Sequence, residues 1–477
     1  MTSEKDKIVL DKKLSQLDVW SLSLGCIIGW GAFVMPGDVF LPKAGPLGTA
    51  VAMSLASIVM IIISFNYSCM IKRHSKIGGE YIYAKESFGK RHAFFCSWFL
   101  GLSYLSIIPL NATALALIGR NLFGEIFKCG FHYSVVGYDV YGGEILLALL
   151  ALALFARLSV RGVKLVGVFQ TTLTFAIVLG IIIMSIQSLF SPLATLENLT
   201  PVIPPHKTFV SAVLSVFVVA PWAFVGFDTI PQAVEEFKFS AMKSKFLMIG
   251  SVVFGGLVYI LLNTITASVI PVGYGTWVDY TTESHHLNGI MSLPTFYAVY
   301  SLFGRFGCML IGIVVLSAVL SGIMGFYMAT SRLFLSMARE KMLPAWFGKL
   351  NPKYHTPSNS IVFIMLISMI APFLGRTVLG WIVDMSSLGA AIGFGYTSAA
   401  ALKYGMNNKL YGTIVTGIIG LGFSLLFMFF LLVPIKGLSC SLNVEAYACL
   451  LGWVLLGILF YCFAEIRSTS LTKTHQR

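Results

Sequence analysis

The chain of 477 residues carries too little charge for a water-soluble protein. Hydrophobic residues make up 57% of it, charged residues make up 11%, and the mean hydropathy is +0.84. A soluble domain holds about 25% charged residues, so this composition excludes a soluble fold, a disordered chain and a collagen-like fibre. The net charge of +13 would suggest a nucleic-acid partner in a soluble protein, but its distribution along this chain argues against one.

Twelve runs without Asp, Glu, Lys or Arg follow one another along the chain. A helix needs about 20 mostly apolar residues to cross a bilayer. The runs are uniformly apolar and do not alternate, which favours membrane-spanning helices over barrel strands. The fourth run is short and becomes a span only if Glu144 and Arg157 lie at its two interfaces. The runs lie at 19–37, 44–71, 92–119, 145–156, 165–196, 208–227, 246–278, 306–331, 354–375, 385–402, 410–435 and 446–464.

The distribution of Lys and Arg predicts how the chain crosses the membrane. With the N-terminus inside, the cytoplasmic segments hold 26 Lys and Arg and the outside loops hold 7. Cytoplasmic loops are enriched in these residues, so both termini are predicted to be cytoplasmic in a multi-pass protein of the cell membrane, plasma or bacterial inner. The same bias accounts for the net charge, and no nucleic acid is predicted as a partner.

Two of the runs contain signals that break helices. The first run holds Gly25, Gly29 and Gly31, and the sixth holds Pro221 and is followed directly by Asp228. Glycine and proline disfavour a continuous helix. Unwound backbone exposes N–H and C=O groups that lipid cannot satisfy, so paired breaks predict a polar cavity that holds a ligand. The alternative for either break alone is close helix packing, because Gly25 and Gly29 form a GxxxG pattern.

The two breaks lie five spans apart, and an odd number of spans inverts the second copy of a repeat. This spacing predicts a 5+5 inverted repeat with a site formed by two discontinuous helices. The predicted units are a cytoplasmic tail at 1–17, a first repeat at 18–205, a second repeat at 206–404, two further helices at 405–466 and a cytoplasmic tail at 467–477.

Asp228 is the strongest single candidate for a functional side chain, because an ionised acid inside the membrane is costly. It could carry a proton, bind a cation or pair with a substrate amine. The alternative is an interfacial carboxylate near a helix end. No phosphate-binding loop, HExxH or GxSxG motif occurs in the sequence, so neither an enzyme nor a cofactor nor a metal site is predicted.

Four stretches carry a resemblance to a known family. They are residues 25–33, residues 78–89 with the sequence GGEYIY, residues 224–236, and residues 331–357. On these stretches the chain resembles the amino acid–polyamine–organocation (APC) superfamily of secondary transporters, and the resemblance covers nearly the whole chain. It implies an all-α membrane protein of twelve helices, with the 5+5 inverted repeat of the LeuT-like fold and two C-terminal helices.

The resemblance also implies uptake or exchange of amino acids or related amines by alternating access. The backbone at residues 29–31 would meet the substrate carboxylate, Trp222 and Phe224 would form an aromatic wall, and Gly226 would permit the sixth-helix break. The complete set of predicted substrate-binding residues is Ile28, Gly29, Trp30, Gly31, Trp222, Phe224, Gly226 and Phe227, with Asp228 as the coupling or proton-carrying residue.

The chain departs from the family pattern at two positions. Trp30 stands where small residues are usual, and could narrow the pocket or act as a lid. Ile177 stands where many relatives carry a helix-5 lysine, which leaves H⁺ and Na⁺ as alternative coupling ions. Ser317 and Ser321 could add hydroxyls to a cation site, although Ser more often bonds within its own helix. Symport, antiport, uniport and a non-transporting sensor or accessory subunit on the same fold all remain compatible with the sequence.

Overall fold

The computed structural model describes the backbone of residues 10–287, 289–435 and 441–474, and this part is mostly helical. The predicted tails at 1–17 and 467–477 therefore lie partly outside the described residues. The first helix begins after Ser15, whose hydroxyl accepts a hydrogen bond from the Asp18 amide, while the Asp18 carboxylate accepts one from the Ser15 amide. This capping box satisfies amide groups that a helix start leaves without partners.

The described residues up to Phe190 form seven α-helices and one hairpin. Gly45, with φ of 68°, interrupts α3 and so separates the end of the first predicted run from the second. The helices are α1 Gln16–Ile27, α2 Gly31–Met35, α3 Leu41–Arg73, α4 Gly79–Phe88, α5 Lys90–Phe123, α6 Gly142–Val160 and α7 Val163–Phe190, and a π-helical turn, Pro36–Phe40, joins α2 to α3.

From Phe209 to Thr474, the part of the chain that the structure describes contains ten further α-helices and several short 3₁₀ turns. Among the described residues, the sixth predicted run contributes two short helices, α8 and α9, instead of one. The helices are α8 Phe209–Phe217, α9 Ala220–Ala223, α10 Ser244–Ser268, α11 Trp277–Glu283, α12 Pro294–Phe303, α13 Arg305–Arg339, α14 Ser358–Ser368, α15 Gly375–Asn407, α16 Tyr411–Leu432 and α17 Val444–Thr474.

Eight helical segments within the described ranges are long and apolar enough to cross a membrane. They include α6, so the short run at 145–156 is confirmed as a helix of sufficient length. The first and sixth predicted spans are interrupted, and the ninth is the shorter apolar segment Ser358–Leu374. The chain is thus a multi-pass helical membrane protein.

A β-hairpin lies between α5 and α6, outside the predicted apolar runs. Strands β1 His132–Val135 and β2 Tyr138–Tyr141 pair in antiparallel register. The two turn residues, Val136 and Gly137, both have positive φ, at 50° and 77°, as a tight hairpin turn requires. Strands this short escape a search for long apolar runs, which is why the hairpin was missed.

The broken helices lie among the long ones. Helix α1 packs against α7, α10 and α13, and α8 packs against α3. The segment before α1 also bonds to the chain after the sixth run, since the Leu14 amide donates to the Glu236 carbonyl and the Lys238 amide donates to the Leu14 carbonyl. The two interrupted regions are therefore joined at the end of the molecule that carries α4.

Candidate functional site

The first break comprises residues 28–30, between α1 and α2. Helix α1 ends at Ile27, whose carbonyl accepts a hydrogen bond from the Tyr259 hydroxyl of α10 at 3.1 Å. The Trp30 amide donates to the side-chain oxygen of Asn111 on α5 at 3.4 Å. The backbone groups released by the break thus find partners on two neighbouring helices, as buried peptide groups must.

The second break comprises residues 224–226, after α9. Gly226 has φ of 143°, a conformation that side chains with a Cβ rarely adopt. Its amide donates to Asp228 Oδ1 at 2.7 Å, and its carbonyl accepts from the Thr229 hydroxyl at 2.6 Å. This break is therefore held mainly by side chains two and three residues further along the same segment.

The two breaks touch each other through glycines. A Cβ at Gly226 would lie 2.7 Å from the Ile27 amide nitrogen and 2.9 Å from the Cys26 Cβ. A Cβ at Gly31 would lie 2.2 Å from the ring of Trp222. Glycine at these two positions thus lets the broken segments approach to van der Waals contact.

A small cavity lies where the breaks meet. Its volume of about 20 Å³ holds roughly one water molecule. Its lining consists of backbone and side chains of both breaks and of α5 and α10: Cys26, Ile27, Gly29, Trp30, Gly31, Ile107, Leu110, Asn111, Trp222, Val225 and Tyr259. Most of these side chains are apolar, which is typical of a small-molecule site with a few polar groups.

A second small cavity shares two lining residues with the first, Trp30 and Leu110. Its volume is about 30 Å³, and it is also lined by Tyr138 of the hairpin and Glu144 of α6. The Trp30 ring packs at 6.3 Å from the ring of Phe296 and is nearly buried. Trp30 and Leu110 are thus the side chains that the two cavities have in common.

The predicted site residues divide into two groups. Gly29, Trp30, Gly31 and Trp222 line the cavity, whereas the other four lie behind it. Phe224 packs on Tyr259 with ring centroids 6.3 Å apart, and Phe227 stacks on Phe394 of α15 at 5.3 Å. Ile28 and Gly226 contribute to the breaks themselves.

Asp228 is fully buried behind the second break. Besides the Gly226 amide, it accepts a hydrogen bond from Tyr104 on α5, whose hydroxyl lies 2.9 Å from Asp228 Oδ2 and 3.0 Å from its carbonyl oxygen. The carboxylate therefore links the second break to α5 without lining the cavity.

Ser317 and Ser321 are buried one turn apart on α13. Ser321 faces the first broken helix, since a Cβ at Gly25 would lie 1.9 Å from its Oγ. Its hydroxyl donates to the side-chain oxygen of Gln170 on α7 at 2.8 Å, and the Gln170 amide donates back to the Ser321 carbonyl at 3.2 Å. A neutral amide thus ties α7 to α13, with Ile177 buried on the same helix as Gln170.

Sequence reasoning missed the side chains that hold the breaks in place. Asn111, Tyr259, Tyr104 and Gln170 are polar residues within the predicted spans. A polar side chain at membrane depth is expensive unless it has a partner, so their presence in these runs was an available signal. The sequence does not say which backbone group each one meets.

A buried ion pair lies at the end of the molecule that carries α4. Arg332 Nη2 lies 2.8 Å from Glu236 Oε1, and both side chains are 1% exposed. Next to it, Arg339 pairs with Glu235 at 3.1 Å, and Glu235 also accepts a hydrogen bond from the Ile77 amide. These contacts join the chain after the second break to α13 and to the segment before α4.

Comparison with known proteins gives the chain its family. The family described as "Amino acid permease" matches residues 14–456, which include both breaks. Similar proteins include the methylthioribose transporter of Bacillus subtilis, 25% identical over 80% of this chain and 79% of the relative. The branched-chain amino acid permease BcaP of the same organism is 23% identical over 82% and 79%. The arginine/ornithine antiporter of Latilactobacillus sakei is 26% identical over 74% and 70%.

These relatives are named as transporters, permeases and antiporters, not as enzymes, and they give no support to a sensor. The family match agrees with the helices that are long and apolar enough to cross a membrane. The chain therefore belongs to the amino acid permease family of the APC superfamily, and it is a secondary transporter.

Proposed function

We propose that this transporter moves amino acids or related amines by alternating access, with the substrate held where the two breaks meet. The observation that carries the proposal is the cavity shared by both breaks, lined by Gly29, Gly31 and Trp222. Such a cavity offers backbone donors and acceptors in an otherwise apolar interior, which suits a zwitterion. Opening toward one side and then the other would enlarge this small space.

Within this site the backbone of residues 28–31 would meet the substrate carboxylate. Trp222 would form the aromatic wall, and its indole nitrogen, which has no hydrogen-bond partner among the described residues, is available to a ligand. Phe224 and Phe227 would support that wall from behind, and Gly226 would keep the second break open.

The cavity lining favours a neutral substrate. Ile27, Ile107, Leu110 and Val225 line it, and no side chain in the lining is acidic or basic. A guanidinium or ammonium side chain would remain without a counter-charge there. Among the substrates named for the relatives, branched-chain amino acids fit this lining better than arginine or ornithine.

The proposed topology follows the sequence pattern. Twelve spans would form two inverted repeats, at 18–205 and 206–404, followed by two helices at 405–466, with both termini in the cytoplasm of a cell-membrane protein. The five-span separation of the breaks and the Lys and Arg bias support this arrangement.

Uptake into proteoliposomes tests the activity. Labelled leucine, arginine and methylthioribose would be offered separately, with an imposed proton or sodium gradient and without one. We expect saturable uptake of leucine and little of arginine. Absence of saturable uptake of any amino acid or amine would reject the amino-acid assignment, and preloading the vesicles with substrate separates exchange from symport.

Asp228 is proposed as the residue that couples transport to the ion, with Ser317 and Ser321 as the alternative if the ion is Na⁺. Asp228→Asn removes the charge and keeps the shape. We expect gradient-driven accumulation to fall by about tenfold or more, and exchange to fall less. Equal accumulation by the variant and the parent would contradict the coupling role.

A further inference from the structure

A second buried carboxylate lies on the α4 side of the breaks. Glu80, in the GGEYIY stretch, is fully buried near the start of α4. The Tyr67 hydroxyl of α3 donates to its Oε1 at 2.7 Å, and the Gln232 side-chain amide donates to its Oε2 at 2.6 Å. Glu80 therefore connects α3, α4 and the segment that follows the second break.

Tyr67 connects the surroundings of Glu80 to those of Asp228, because its hydroxyl donates to Glu80 and its ring packs 5.4 Å from the ring of Phe227, the residue before Asp228. The pKa of Glu80 is raised well above its ordinary value of 4.5. Burial is the largest cause, and the charge of the neighbouring Asp228 carboxylate is the next. The hydrogen bond from Tyr67 opposes this shift without cancelling it. Two like charges in a low-dielectric interior favour a state in which one of them is neutralised by a proton.

Neither Glu80 nor Asp228 has a basic partner in the described part of the chain. Among the described residues, neither Glu80 nor Asp228 forms an ion pair with Lys, Arg or His, whereas nearby Glu236 is paired with Arg332. The titratable side chains that face the pair are neutral in their ordinary state: Tyr67 on α3, Tyr83 on α4, Cys96 and Tyr104 on α5, and Cys26 on α1.

The hydrogen bonds around Glu80 can accept a proton with little rearrangement. Gln232 donates through its nitrogen, and its side-chain oxygen has no partner among the described residues. Rotating that amide by half a turn would direct the oxygen at Glu80, where it could accept a bond from a protonated carboxyl. Gln232 can thus serve both the ionised and the protonated form.

We propose that Glu80 binds the proton that this transporter couples to substrate movement, and that it holds this proton at neutral pH while the α4 end is closed. The proposal rests on the function proposed above. The proton enters from water on one side, forms an O–H bond on the Glu80 carboxylate, and returns to water on the other side. Asp228 keeps the coupling role proposed above as the fixed negative charge that favours this proton on Glu80. It stays ionised because it accepts hydrogen bonds from the Gly226 amide and the Tyr104 hydroxyl.

Infrared spectroscopy of the purified full-length protein locates the proton without any substrate. A protonated carboxyl group has a C=O stretching band that a carboxylate lacks. We expect the spectrum of the parent at pH 7 to contain such a band that Glu80→Gln removes. The matched control is Glu86→Gln, an exposed acid on the same helix, which should leave the band unchanged. Persistence of the band in Glu80→Gln, or its loss only in Asp228→Asn, would overturn the proposal.

A second variant covers the case in which Glu80→Gln does not fold. Asp228→Asn removes the neighbouring charge, so Glu80 should lose its proton at a lower pH than in the parent. The pH at which the band disappears should therefore fall, and an unchanged midpoint would contradict the proposal.

The transport assay then tests the link to function. In liposomes with a proton gradient, Glu80→Gln should accumulate at least tenfold less substrate than the parent while retaining exchange. Accumulation equal to that of the parent would contradict the coupling role of Glu80. The infrared result stands whether or not the parent transports an amino acid, so the two proposals fail separately.

Discussion

The two breaks line the same cavity and differ in the groups that hold them. Side chains from other helices, Asn111 and Tyr259, bind the polar groups of the first break. Near neighbours in sequence, Asp228 and Thr229, bind those of the second. The first break therefore depends on where α5 and α10 lie, whereas the second is largely built into its own segment.

This difference bears on how the site changes during transport. The first break is hydrogen-bonded to side chains of α5 and α10, so its hydrogen bonds change whenever those helices shift. A break capped by its own sequence keeps its shape as it moves. We expect the second break to travel as a preformed unit and the first to exchange partners.

The largest expected effect is at Gly226, where the breaks touch. Gly226→Ala places a Cβ 2.7 Å from the Ile27 amide nitrogen in a backbone conformation that disfavours alanine. We expect a loss of about 2–4 kcal/mol of stability and loss of transport. Thermal unfolding in detergent measures it, with Gly422→Ala as the control, because a Cβ there meets no atom within 4 Å. Equal melting temperatures of the two variants would contradict the close contact.

A smaller effect is expected at the first break. Tyr259→Phe leaves the Ile27 carbonyl without its donor, at a cost of about 1–3 kcal/mol for a buried polar group. Thermal unfolding should show the loss, and Tyr411→Phe, at an exposed position, should show none. A melting temperature equal to that of the parent would mean that α10 does not hold the first break.

Glu80, which is hydrogen-bonded to the segment after the second break, should make the stability of the folded protein depend on pH. The pKa of Glu80 is raised in the folded protein, so its contribution to stability is fully present below pH 4.5 and is lost as pH rises through the raised pKa. Glu80→Gln should flatten this decline, which melting temperatures between about pH 5 and 8 would reveal. A steeper loss of stability with rising pH in Glu80→Gln than in the parent would contradict the raised pKa of Glu80.

The smallest effect is expected for Asn111→Leu. Its hydrogen bond to the Trp30 amide is long, at 3.4 Å, so its removal should cost about 1 kcal/mol or less. Urea or thermal unfolding of the variant measures this, and substrate affinity should change more than stability, since Asn111 lines the cavity. If Asn111→Leu destabilised the protein more than Tyr259→Phe does, the hydrogen bond of Asn111 would contribute more to stability than that of Tyr259, contrary to this prediction.

The sequence was sufficient to predict the breaks because their causes are local. Gly29 lies in the first break, and Gly226, with φ of 143°, lies in the second. Gly25 and Pro221 are exceptions, since they lie within helices α1 and α9. The contacts of Glu80 and Tyr259 could not be predicted, because each spans well separated segments of the chain. Phe227 illustrates the same limit, since its position beside the break suggested the pocket, and its ring stacks on Phe394 of α15 instead.

The end of the molecule that carries α4 is held by backbone as well as by side chains. An opening there would have to separate the buried pair of Glu236 and Arg332, and with it the backbone bridge between Leu14 and Phe237. On the hairpin side, the side chains of Trp30 and Leu110 line both small cavities. We therefore expect a passage at the α4 end to require a larger rearrangement than one on the hairpin side.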